Sequence, residues 1–157
     1  MPCLSRLRRR LALVQVIEGE VDAVEKRRCD RSVMEHLAAS GIALEAVAIT
    51  GDGCSFIIDS RDGARFASAI VDLNVALKLH DHCARVALTR TATDWPLPSL
   101  KRVMEALDNE GIGVVHLTSD ATALTVLVDE READRVAAIF SRFYQPAASN
   151  VSGRLAS

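Results

Sequence analysis

The chain has 157 residues, a formal net charge of −2, 49% hydrophobic residues and only 4% aromatic ones. That charge gives no long-range attraction to nucleic acid, and no apolar run approaches the roughly 20 residues that a membrane-spanning helix needs. With so few aromatics the core must be built from Ala, Val, Leu and Ile. Cys3, Cys29, Cys54 and Cys83 are scattered with no CxxC pair, a usage that suits reduced thiols and a cytoplasmic protein.

In chain order, Met1 to Arg10 reads as a solvated basic leader with Arg6, Arg8, Arg9 and Arg10. It is not a signal peptide, because LALVQVI is short and runs into Glu18 and Glu20 with no small-residue cleavage site. Leu11 to Ile17 is the first expected strand. A charged connection follows, and Asp30 or Ser32 is expected to cap a helix that buries Val33, Met34 and Leu37 and stops at Gly41. A strand over 42–50, a Gly51-Asp52-Gly53 hairpin and a return strand over 54–58 come next. A second helix, started by Asp59 or Ser60, buries Phe66, Ala69, Ile70 and Leu73. A strand over 75–79 leads to a polar link, His80-Asp81-His82-Cys83, and Val86 and Leu88 then alternate in a further strand.

Beyond the loop from Thr91 to Pro98, the apolar stripe Leu100, Val103, Met104, Leu107 predicts a helix. A turn at Asn109 to Gly111, strands over 112–117 and 123–128, and a helix from about Glu130 with Val136, Ala137, Phe140 and Phe143 inward complete the pattern. The tail, QPAASNVSGRLAS, is weakly patterned and offers no closing strand for this part. That strand is then borrowed from elsewhere in the chain or from a partner, or the tail is disordered.

The chain contains this pattern twice. Shifted by seventy residues, Met34, Glu35 and Leu37 fall on Met104, Glu105 and Leu107, and Gly41-Ile42 fall on Gly111-Ile112. Asp59, Arg61, Arg65 and Ala67 fall on Asp129, Arg131, Arg135 and Ala137, without a gap from Met34 to Ile70. The fold expected is α+β, two ferredoxin-like βαββαβ units in tandem with antiparallel sheets and helices on one face. The units span 11–80 and 84–144, with 1–10 and 145–157 outside them. Each is small enough that a lone core is marginal, so they are expected to pack on each other or on a partner.

No glycine-rich phosphate loop, nucleophile triad or paired carboxylates mark an enzyme, and no cofactor is expected. His80, Asp81, His82 and Cys83 are the only dense run of metal-ligand residue types. With no distant partner signalled they read as a solvated link, and no metal is expected. RNA-recognition modules share the topology but need aromatics on the central strands, and those strands have none. Trp95 is either a staple on the following helix or an exposed contact.

The run SLKRVMEALDNEGIGVVHLTSDATALTVLVDEREADRVAAIFSRFY resembles the second ACT module of aspartokinase. The residues that carry the likeness are Glu105-Ala106-Leu107, Gly111-Ile112, Val128-Asp129-Glu130 and Ala133-Asp134-Arg135. The first copy, from Met34 to Ile70, resembles the first ACT module more loosely. The resemblance implies paired βαββαβ modules that bind an amino acid at an interface. It implies a non-catalytic regulatory part acting on a kinase, of the kind some bacteria make as a separate small subunit of about this size. It also implies a homodimer or a complex with a kinase catalytic chain, and an effector of the lysine or threonine class. Carried onto this sequence, the effector site draws on Ile42 and Ala43 in the first copy and on Asp94, Ile112, Gly113, Val114, Ser119 and Asp120 in the second. The family's Asp-x-x-Pro-Gly loop is replaced by DAVEKRRCD and TATDWPLPS, and the Asn of Gly-Ile-Asn-Ile by Ala43 and Gly113. The alternative reading is an interaction module with the same fold and no effector.

Overall fold

The structure, a computed structural model, describes residues 5–89, 97–120 and 122–143. Six strands and four helices lie within these residues. They are β1 (Ser5–Ile17), α1 (Ala23–Ser40), β2 (Leu44–Thr50), β3 (Gly53–Asp59), α2 (Gly63–Ala69), β4 (Ala76–Thr89), α3 (Leu97–Asn109), β5 (Val114–Ser119), β6 (Ala123–Asp129) and α4 (Ala133–Phe143). Short 3-10 turns at Ser60–Asp62 and Glu130–Glu132 lead into α2 and α4. The strands form one antiparallel sheet in the order β2-β3-β1-β4-β6-β5.

Two long central strands hold this sheet together. Leu11–Ile17 of β1 lies between β3 and the first part of β4, while Ser5–Arg8 pairs with Leu88–Arg85 of β4. Conversely, Cys83–Thr89 of β4 pairs with β6. The start of the chain therefore supplies the strand that the second half of the sequence lacks. This corrects the reading of Ser5–Arg10 as a solvated leader. The alternation Arg6, Leu7, Arg8 is that of a strand, and two of the segment's arginines are met by protein. Arg9 binds the Asp134 carboxylate at 2.7 Å and the Glu130 carbonyl at 3.3 Å, and Arg8 pairs with Glu45. The polar link at His80–Cys83 is likewise interior to β4. Each long strand changes register at a residue with positive φ, Arg10 at 59° in β1 and His82 at 52° in β4.

The helices start and stop where local chemistry dictates. Asp22, not Asp30 or Ser32, caps α1: its Oδ1 accepts from the Val24 and Glu25 amides, each at 2.9 Å. The helix thus begins about two turns earlier than expected, and Asp30 lies within it. Gly41 and Gly111 end the helices that precede β2 and β5, with φ of 69° and 68°, a conformation glycine adopts without a Cβ penalty.

The helices cover one face of the sheet with two apolar clusters. One gathers Val14, Val33, Leu37, Phe56, Phe66 and Ile70. The other gathers Val86, Val103, Leu107, Val126, Val136 and Phe140. The seventy-residue shift relates Val33 to Val103, Leu37 to Leu107, Phe66 to Val136 and Ile70 to Phe140. On the opposite face Leu11, Leu13, Ile57, Cys83 and Leu127 form a third buried group. The sheet curls so that its two outermost strands line one cleft there, through Ala46 and Ala48 of β2 and His116 and Thr118 of β5.

Candidate functional site

The residues suggested for an effector site fall at separate places. Ile42 and Ile112 are buried in different apolar clusters beneath β2 and β5, which stand at opposite edges of the sheet. Ala43, Gly113 and Val114 are exposed beside them. No atom lies within 4 Å of the place a Gly113 side chain would occupy, so the space on that side of the residue is open. Val114 begins β5 and Ser119 ends it. At about 3.4 Å per residue those ends are about 17 Å apart, farther than one amino acid reaches.

Ser119 and Asp120 lie at the other end, where Thr89 closes β4 opposite Ala123. Asp120 is engaged in its own turn. Its Oδ1 accepts from the Thr122 hydroxyl and amide, both at 2.7 Å, and from the Ala123 amide at 2.9 Å. Those bonds, the hydroxyl's first, hold its carboxyl below the usual range. Asp94 and Trp95 lie outside the described residues. His80, Asp81, His82 and Cys83 do not converge: Cys83 is buried, its thiol facing the His80 carbonyl at 3.4 Å, while Asp81 accepts from the Ser60 hydroxyl.

A different group of reactive side chains does converge, at the end of β1 in the first half. Glu18 follows β1, Lys26, Cys29 and Asp30 come from α1, and Cys54 comes from β3, where the pairing of Ile17 with Gly53 brings the strands level. Asp30 is the one buried charged residue among those described, 8% exposed. Its Oδ2 accepts from the Lys26 ammonium at 2.7 Å and its Oδ1 from the Cys54 thiol at 2.9 Å. Burial pushes the Asp30 carboxyl up, but the bonds from Cys54 and Lys26 outweigh it and the net shift is down. Burial, and then the Asp30 carboxylate, push the Cys54 thiol up to about 12, so it is no nucleophile at neutral pH. Both Glu18 oxygens are buried and neither takes a hydrogen bond of acceptable geometry. Desolvation, and next Asp30, raise its carboxyl. Cys29, beside Glu18, is raised by burial first and then by that carboxylate.

Sequence reasoning missed this cluster because its members are distant in the chain. A signal was present in the repeat: Asp30 and Cys54 fall on Leu100 and Leu124, polar residues where the copy is apolar.

No helix among the described residues is long and apolar enough to cross a membrane. A six-stranded antiparallel sheet with helices on one face, built on two related halves, defines an α+β architecture. No protein-family model matches the sequence, and neither does any curated protein sequence. Among solved structures, the chain is similar to the regulatory subunit of aspartate kinase from Thermus flavus, with a TM-score of 0.75 and 12% identity over 91% of this chain and 98% of that one. The ligand-free regulatory subunit from Thermus thermophilus gives 0.71 and 12% over 90% and 97%. The chain also matches about a third of aspartate kinase from Clostridium acetobutylicum: 90% of this chain against 34% of that one, at 0.76 and 14% identity. The chain has the fold of the aspartokinase regulatory subunits and C-terminal regulatory domains.

Proposed function

We propose that the chain is a non-catalytic regulatory protein of the aspartokinase type, made of two ACT modules over residues 11–80 and 84–144. In this reading each module takes its fourth strand from the long strand that opens the other, so Ser5–Arg10 belongs with the second. The observation that carries the reading is the near end-to-end match to separate regulatory subunits, 98% of the Thermus flavus chain.

The effector would be an amino acid of the lysine or threonine class, held at Ile112-Gly113-Val114. The space beside Gly113 is open there, and β5 is an edge strand whose outer amides and carbonyls suit a carboxylate and an ammonium. A second copy or a kinase catalytic chain would close the site across that edge. Control would then follow from unequal effector affinity for two arrangements of the assembly.

The second reading is an interaction module without an effector. Asp120, spent on its own turn, and the lack of a polar side chain at Ala43 and Gly113 favour it. Calorimetric titration of the folded chain with lysine and with threonine separates the two. Saturable heat with either supports the sensor, and no heat with both leaves the interaction module.

A further inference from the structure

We propose that Glu18, Asp30 and Cys54 form a binding site for a thiophilic divalent metal ion of the zinc class. The inference does not rest on the regulatory reading. One ligand atom from each of the three lies within 4.8 Å of the other two. They come from three different elements, so the fold and not a local turn brings them together. A thiol with two carboxylates is a donor set for zinc and its relatives rather than for calcium or magnesium, which take oxygen alone.

Three observations point to an ion. First, the frame does not need polarity here. The second half places Leu100 and Leu124 at the positions of Asp30 and Cys54, and Leu124 is fully buried. Second, Glu18 aims a carboxyl with both oxygens buried into the cluster, where its polar neighbours are a second carboxylate and the Cys29 thiol and no cation bonds it. An unmet buried carboxylate is costly, and a cation would satisfy it. Third, the charges close. Two carboxylates, one thiolate and the Lys26 ammonium sum to zero with a divalent ion. Asp30 can give Oδ1 to the metal while Oδ2 keeps its bond to Lys26. Binding forms a metal–sulfur bond and releases the Cys54 proton to solvent. Water can complete the coordination without changing that balance, and side-chain rotation draws the donors in to the bond lengths zinc requires, about 2.3 Å to sulfur and about 2.0–2.2 Å to oxygen.

The test is titration of the full chain, stripped with a chelator, with cobalt(II) and then zinc(II). The expected result is one equivalent bound, a thiolate-to-cobalt charge-transfer band that zinc abolishes, and a rise in the thermal midpoint. The double variant Asp30→Leu/Cys54→Leu, which installs the leucines of the second half, should keep its circular dichroism and lose the band and the rise. Absence of band and stabilisation in the folded wild type overturns the proposal. So does a band that survives in the double variant, since the metal would then sit on another thiol. If the double variant does not fold, Glu18→Gln decides: weakening of zinc binding by about ten-fold or more supports the site, and unchanged affinity overturns it.

Discussion

Arg65 reaches back to the Ser40 carbonyl in the first half of the molecule, and Arg135 reaches the Glu110 carbonyl in the second. Arg61 pairs with Asp59, and Arg131 with Asp129. Both edge strands shift register at the same place, between Leu44 and Ala46 and between Val114 and His116. Against this shared frame the differences stand out. At the end of β1 the first half gathers an acid–thiol cluster, and the second half places leucines at the matching positions, Leu124 fully buried and Leu100 partly so. The frame carries the fold, and the departures from it are where chemistry specific to this chain resides.

Truncating the matched cores should have the largest effect. Phe66 and Phe140 are fully buried in the two apolar clusters, and Phe66→Ala or Phe140→Ala should each cost roughly 3–5 kcal/mol in denaturant unfolding. Because β1 and β4 run through both halves, either variant should unfold in one transition. Two separated transitions would mean that the halves are independent.

Next comes Gly53, whose counterpart is Ala123. Gly53 has φ of 154°, and an added Cβ would strike the Val16 carbonyl. Gly53→Ala should therefore cost about 1–3 kcal/mol, whereas Ala123→Gly should cost only about 0.5–1 kcal/mol. Equal costs would show that the two hairpins are not so different.

A smaller effect separates the halves at alkaline pH. The Cys54 thiol is raised above its ordinary value, so the stability it contributes is complete below about 9 and is lost as pH rises toward about 12. Lys26 is raised as well, chiefly by Asp30, and acts in the same direction. In chelator, Cys54→Leu should flatten much of the alkaline fall in thermal midpoint, and an unchanged profile would contradict the buried contact with Asp30.

The smallest effect is one the halves share. Arg131 holds the Asp129 carboxyl down to about 2. Its contribution is present above the ordinary carboxylate range and is lost as pH falls toward about 2. Asp129→Asn should reduce the acid sensitivity slightly, and Asp59→Asn likewise, since both carboxylates are solvent-screened.

Much of the frame was legible because it rests on local signals. Glycines after helices, the Gly51-Asp52-Gly53 turn and the helical stripes all have short-range causes. The seventy-residue register held because both copies need the same apolar positions. The strand at Ser5–Arg10 is hidden by its arginines, which read as solvated, whereas Glu45 receives Arg8 and Asp134 and the Glu130 carbonyl receive Arg9. His80–Cys83 reads as a link in the sequence because a polar run in mid-strand, bent at His82, has no periodic signature. The candidate effector residues could be named from the resemblance, but only coordinates show that Gly113 and Asp120 stand at opposite ends of β5. The acid–thiol cluster depends on tertiary proximity alone.

The regulatory reading meets its most direct test in mixing the purified chain with the aspartokinase catalytic chain of the same organism, followed by light scattering coupled to size separation, with and without lysine or threonine. The account predicts a stable complex containing both chains, with kinase activity that responds to the amino acid only when this chain is present. Two separate peaks under every condition, with kinase activity indifferent to the added chain, would contradict it.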